Sequence, residues 1–331
     1  MNGKSFLNKA KCSVVVVSVA LGLVSTASAA DKTSVDPGLL AYTKTANVSG
    51  SLNSIGSDTL NNLLALWAEK FNFYYPNVKI QVEGKGSSTA PPALIEGLAQ
   101  IAPMSRPMKS SEIDAFEKKF GYKPTEIKVA VDALAVFVHK DNPIQGITMK
   151  QVDAIFSSTR QTGAPVDITT WGQLGLTGVY ADKPLSIYGR NSASGTYGFF
   201  KEHALLNGDF KNSVKEQPGS ASVVQGISVD RFAIGYSGVG YLTAGVKALP
   251  LSTEDSGKFI TAERENAYSG DYPLARFLVL YINKAPGKQL DPMVREFVKL
   301  ILSKEGQEVV VKDGYFPVTA SVAQEQLGIL Q

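Results

Sequence analysis

The chain has 331 residues, with 33 basic against 30 acidic side chains, one cysteine and two histidines. That length is long for one hydrophobic core and points to two lobes. The near-balanced charge without a Lys/Arg block argues against nucleic acid as partner, and so few cysteines and histidines leave little for a metal centre or thiolate chemistry.

Residues 1–30 have the form of an export signal. Lys4, Lys9 and Lys11 precede an apolar run at 13–24 that is too short to span a bilayer, and Ala27-Ser28-Ala29 has the small-x-small pattern of a cleavage site. Cleavage is expected near Ala29 and Ala30. Removing the three lysines with the signal brings the basic count level with the acidic one. Cys12 lies ahead of the apolar core, where a lipid-anchoring cysteine would follow it, so no lipid anchor and no disulfide are expected. The product should be a soluble exported protein, periplasmic and possibly extracellular as well.

Beyond the signal, strand-like and helix-like segments alternate. Residues 47–55 are predicted as a strand leading to Gly56-Ser57-Asp58-Thr59, and Leu60, Leu63, Leu64, Trp67 and Phe71 then recur at helical spacing. A short strand at 78–82 runs into Gly84-Lys85-Gly86-Ser87-Ser88-Thr89, with Pro91 and Pro92 in the first turn of a helix reaching 98. Residues 127–139 form a long β-rich run interrupted by Asp132. A helix is predicted at 149–156, a loop at 171–175, a strand at 185–188, a helix at 196–206, another at 223–228, strands at 232–236 and 276–283, and an amphipathic helix at 294–302. The alternation predicts α/β architecture with largely parallel sheets.

Three donor-rich segments fall at strand-to-helix turns, where ligands of open α/β sheets bind. The richest is Gly189-Arg190-Asn191-Ser192-Ala193-Ser194-Gly195-Thr196. Ser194 and Thr196 offer hydroxyls, Gly195 an uncovered N–H, and Arg190 a fork of donors matched to a tetrahedral oxyanion. Ser57-Asp58-Thr59-Leu60 taken alone is explained as a helix cap, and the segment Ser87, Ser88 could equally be a solvated turn. Ser105-Arg106-Pro107 adds another guanidinium, whose ordinary explanation is a surface ion pair.

Near neutral pH phosphate carries a proton and sulfate does not, so a phosphate site should contain a carboxylate to accept it. Asp58 and Asp132 are the candidates. Asp132 stands in an apolar run, where a charge is costly unless partnered; a structural ion pair is the competing explanation.

Together, Gly-Ser-Asp-Thr-Leu, Gly-x-Gly-Ser-Ser-Thr, Ser-Arg-Pro and Arg-x-x-x-Ser-Gly-Thr resemble the periplasmic phosphate-binding proteins of phosphate ABC transporters, most closely the pseudomonad type. Segments 130–136, 171–174 and 233–236 add to the match, which keeps its order over nearly the whole mature chain. The resemblance implies a two-lobed type II periplasmic binding protein fold, each lobe a mixed, mostly parallel sheet flanked by helices, joined by two crossovers. Residues 31–134 with 256–331 would form one lobe and 135–255 the other, with phosphate in the cleft between them.

It further implies that Thr59, Leu60 and Ser87 contribute from one lobe and Arg190, Ser194, Gly195 and Thr196 from the other, with Ser57, Asp58, Ser88 and Ser105 nearby. Familiar members carry an aspartate where Ser105 or Arg106 stands here. Asp132 is the expected substitute, Asp58 the second choice, and Arg106 an additional cationic donor or the partner of Asp132. The implied partners are inorganic phosphate and the membrane permease of an ABC importer, with a monomeric receptor and neither metal nor cofactor. The competing functions are an exported phosphomonoesterase, with Ser87 or Ser194 as nucleophile, and a receptor for another tetrahedral oxyanion such as sulfate. His139 and His203 are the only histidines the first could use.

Overall fold

The computed structural model describes residues 34–45, 47–254 and 257–330; the expected signal segment and its cleavage site lie outside them. β1 (Gly50–Gly56) passes through a single 3-10 turn into α1 (Asn61–Tyr74), and β2 (Val78–Gly84) through another into α2 (Ala90–Ile95). β3 (Ala102–Met104), α3 (Ser110–Phe120), β4 (Thr125–His139), β5 (Ile147–Thr148) and α4 (Met149–Phe156) follow. Next come β6 (Ser186–Arg190), α5 (Gly195–Ala204), β7 (Lys215–Gln217), α6 (Ser220–Val229) and β8 (Ala233–Gly238). The chain finishes with β9 (Val246–Ala248), β10 (Leu251–Ser252), α7 (Arg264–Ser269), β11 (Ala275–Ile282), α8 (Pro292–Ile301), α9 (Lys304–Lys312) and α10 (Ala320–Ile329).

β4 organises this arrangement. Over Thr125–Ala133 it pairs antiparallel with β11, whose other edge carries β3. From Leu134 onward it pairs with β8 and β9 instead. β8 continues in parallel to β6, and β6 to β7. β1 and β2 form a separate parallel pair, as do β5 and β10. The expected parallel pairings therefore occur around β1 and β6, while β4 is antiparallel to every strand it meets. An unbroken apolar run is what either pairing gives to a strand buried on both faces, so its direction cannot be read from periodicity.

Among the described residues the core has one main cluster, which takes in α1, and two smaller ones. Leu63, Leu64, Trp67 and Phe71 line the buried stripe of α1, which packs on β2, α8 and α9. The Trp67 indole N–H donates to the Gly306 carbonyl at 2.8 Å, and Phe71 meets Phe297 edge-on. The helix expected to reach residue 98 ends at Ile95, where the chain turns through Gly97 at φ 73°, a conformation easy only for glycine.

Glu296 of α8 is fully buried and ties the segment before β1 to the body. Its carboxylate accepts from Thr45 Oγ1 at 2.6 Å, Tyr42 OH at 2.8 Å, Lys299 Nζ at 3.0 Å and Tyr75 OH at 3.1 Å. Burial alone would raise its pKa, but the donors, Thr45 and Lys299 foremost, hold it at about 2. Because this lies below the ordinary 4.5, the native state binds fewer protons, and the stability Glu296 contributes drains away as pH falls from about 4.5 towards 2. Urea midpoints measured across that interval should fall in the wild type and fall less steeply in Glu296→Gln, which should itself cost about 1–3 kcal/mol at pH 7.

Candidate functional site

The three donor-rich turns meet. The first leaves β1 as the 3-10 turn Asp58–Leu60, with Thr59 and Leu60 buried. The second leaves β2 as the turn Ser87–Thr89, preceded by Gly86 at φ 111°. The third leaves β6 and starts α5 at Ser194. Close approach of backbones brings them together: a Cβ on Gly86 would lie 2.5 Å from the Ala193 carbonyl oxygen, and the Ser88 N–H donates to that oxygen at 3.1 Å. A Cβ on Gly195 would lie 2.2 Å from Ser87 Oγ and 2.7 Å from Ser105 Oγ.

Hydroxyls fill the junction. Thr59 Oγ1 and Thr196 Oγ1 are 2.9 Å apart. Ser57 Oγ donates to Ser105 Oγ at 3.1 Å, Ser105 Oγ lies 3.3 Å from Ser87 Oγ, and the Ser105 N–H donates to Ser87 Oγ at 3.0 Å. Ser194 caps α5, its oxygen accepting from the N–H groups of Thr196 and Tyr197, which leaves its own proton to donate.

Arg190 is about 1 % exposed. Nη1 donates to Ser220 Oγ at 2.6 Å and Nη2 to the Pro218 carbonyl at 3.1 Å, while Nε is buried without a hydrogen-bond partner. Burial lowers the pKa of this guanidinium, and the Asp58 carboxylate 3.3 Å from Nη2 works against that. Asp58 does not cap its own helix. No side-chain cap bond occurs at its turn, and Oδ2 instead accepts from the Ser220 N–H at 2.8 Å, reaching from the β1–α1 turn to the start of α6.

Asp132 is fully buried beside the cluster, but Arg106 is not its partner. Arg276 stands directly opposite it in the β4–β11 register. Arg276 gives Asp132 Oδ2 two bonds, from Nε at 3.0 Å and Nη2 at 2.8 Å, and the Val239 N–H donates to Oδ1 at 2.9 Å. Both terminal nitrogens of Arg106 go to Glu112 at 2.7 and 2.8 Å. Glu112 is also the acidic partner in the first turn of α3, a helix the apolar periodicity did not mark, so sequence offered no carboxylate for Arg106 there. Arg276 was visible only as the first residue of an apolar strand; a charge at such a place was its one signal.

A cavity of about 950 Å3 abuts this cluster and is bordered by Ser88, Arg106, Ser194, Phe199 and Arg276. The histidines make their hydrogen bonds elsewhere: His139 Nδ1 accepts from the Asp141 N–H, and His203 Nδ1 lies 3.1 Å from the Phe199 carbonyl oxygen. Among the described residues no group of His, Cys, Asp and Glu could hold a metal ion.

Donors on strand-to-helix turns from separate parts of the chain, closing on one buried point, describe the cleft of a binding protein for a small anion. Residues 41–305 match the family model described as a PBP superfamily domain, and the chain belongs to that superfamily. The phosphate-binding protein PstS of Pseudomonas aeruginosa is 56 % identical over 97 % of this chain and 98 % of its own length. Protein SphX of Synechococcus elongatus is 31 % identical over 80 % of this chain and 77 % of its own. A solved structure of a candidate phosphate ABC transporter substrate-binding protein from Clostridium perfringens, with phosphate bound, superposes with a TM-score of 0.69 at 26 % identity, covering 82 % of this chain and all of that one.

The close contacts at the third turn predict opposite outcomes for two glycines of α5. Gly195→Ala must displace Ser87 and Ser105 and should cost about 1–3 kcal/mol in a urea titration. A Cβ on Gly198 would meet only the Arg106 side chain, at the ordinary contact distance of 3.4 Å, so Gly198→Ala should be neutral or stabilising by up to about 1 kcal/mol.

Proposed function

We propose that this protein is an exported, monomeric receptor that captures inorganic phosphate in the periplasm and delivers it to the membrane permease of an ABC-type importer. The observation that carries this is the convergence of six hydroxyls, from Ser57, Thr59, Ser87, Ser105, Ser194 and Thr196, beside buried Arg190, in a chain whose relatives are named phosphate-binding proteins. Thr59, Leu60, Ser87 and Ser88 donate from one side of the cleft; Arg190, Ser194, Gly195 and Thr196 donate from the other. The helix start at α5 adds partial positive charge. Arg106, engaged with Glu112, lines the cavity and adds positive charge there.

The lobes are residues 31–134 with 256–331, and 135–255. The exchange of β4 partners between Ala133 and Leu134 supports the first of these boundaries. Closure of one lobe on the other buries the anion and presents the loaded form to the permease. The protein is a binding protein, not a phosphomonoesterase; its 56 % identical relative carries a binding name, and its histidines hydrogen-bond to backbone groups rather than to the hydroxyls. Preference over sulfate requires an acceptor for the phosphate proton, and Asp58 and Asp132 are the carboxylates in reach of the cluster.

Calorimetric titration of phosphate-stripped protein should give one-to-one phosphate binding and no sulfate response; equal binding of both would remove the phosphate assignment. Arg190→Ala should weaken phosphate binding by about 2–5 kcal/mol, because it strips charge from a buried anion and leaves Asp58 unpaired. Unchanged affinity in that variant would sink the site.

A further inference from the structure

The proposed phosphate site uses one guanidinium, Arg190, yet a second is built into its wall. Arg276 is 7 % exposed and lies on β11, on none of the three turns that supply the hydroxyls. Besides its two bonds to Asp132, its Nη1 donates to the Ser105 carbonyl at 2.7 Å and its Nη2 to Thr196 Oγ1 at 2.9 Å. Its guanidinium carbon lies over the Phe199 ring, 5.0 Å from the ring centre. Four bonds and one ring hold the group in place.

A hydroxyl that accepts a charge-assisted bond has that lone pair committed, and its own proton becomes the better donor. Thr196 is in this position: Arg276 occupies one lone pair of its oxygen, which leaves its proton available to Thr59 Oγ1, 2.9 Å away, and to whatever the cleft holds. We propose that Arg276 is a positioning residue of the anion site, locking Thr196 as a donor, and that Asp132 serves as the counter-ion that holds Arg276 rather than as the acceptor of the anion's proton. The proposal rests on the phosphate reading above. Asp132 fits the counter-ion role because Oδ2 takes two bonds from Arg276 and Oδ1 is engaged by the Val239 N–H. Removing Arg276 alone would strand a buried carboxylate, so the test must remove both charges together.

The decisive comparison is phosphate and sulfate titration of the wild type, the Arg276→Gln/Asp132→Asn pair, Thr196→Val, and the triple variant. Replacing a charged donor by a neutral one should weaken phosphate binding by about tenfold in the pair variant. In the Thr196→Val background the same two changes should cost about twofold or less, since the group through which they act is gone. Asp132→Asn alone should leave the preference for phosphate over sulfate unchanged. Arg276→Lys keeps the charge but cannot bridge Asp132 and Thr196, so it should remain weakened; it carries the test if the pair variant fails to fold.

Full phosphate affinity in the pair variant or in Arg276→Lys would overturn the proposal. So would an equal loss with and without Thr196, which would make the role of Arg276 independent of that hydroxyl. Sulfate binding gained by Asp132→Asn would make Asp132 the proton acceptor and overturn it too. A wild type that binds no phosphate would sink the functional reading itself, and this inference with it.

Discussion

Two cations are buried against one cluster of hydroxyls, and each is neutralised within the protein. A guanidinium taken out of water without a partner would cost several kcal/mol, so the neighbourhood is arranged around the two carboxylates. Asp58 reaches from the β1–α1 turn to Arg190 and to the start of α6, which draws three elements to one place. Asp132 meets Arg276 across the strands, which fixes the register of β11 on β4 and sets the Arg276 side chain against Ser105 and Thr196. The fixed charges of this region already balance, and what the hydroxyl cluster adds is directed donors rather than net positive charge.

Serine and threonine suit such a junction. Each hydroxyl can accept from a guanidinium or a backbone N–H and still pass its own proton onward. Ser194 does so as a helix cap, Thr196 under Arg276, and Ser87 beneath the Ser105 N–H. Longer side chains would hold the turns apart, and the two glycines show how little room there is. Gly86 lies against the Ala193 carbonyl and Gly195 against Ser87, so the surfaces touch through backbone and hydroxyl alone.

Much of this was legible in the sequence because it is local. A hydroxyl-rich turn after a strand and before an amphipathic helix is written in consecutive residues, and Ser57–Leu60, Gly84–Thr89 and Arg190–Thr196 could be singled out for that reason. The helix at 149–156 and the strand expected at 185–188, observed as Ser186–Arg190, likewise follow from local pattern. What escaped depends on pairing across the chain. Asp132 advertised a missing partner, but the choice between Arg106 and Arg276 turns on strand register and on Glu112, neither of which leaves a periodic trace. Arg276 is 144 residues from Asp132 in sequence and adjacent in space. The helices at 110–120, 304–312 and 320–329 were not marked, and β4 could not be assigned a direction. Asp58 has the chemistry of a cap and a different task, one set by a helix start far along the chain.

The course of β4 bears on how such a protein can be taken apart. A single strand of 15 residues supplies an edge to β11 at one end and to β8 and β9 at the other, without a linker between. The halves are therefore not interchangeable cassettes. A fragment that keeps all of β4 carries away the pairing surface of the other half, and one that divides it exposes unpaired edges on both sides, each open to adventitious strand addition. New specificity in this scaffold is more accessible by exchanging the short turns after β1, β2 and β6, which end at the cleft, than by recombining lobes, since β4 belongs to both at once.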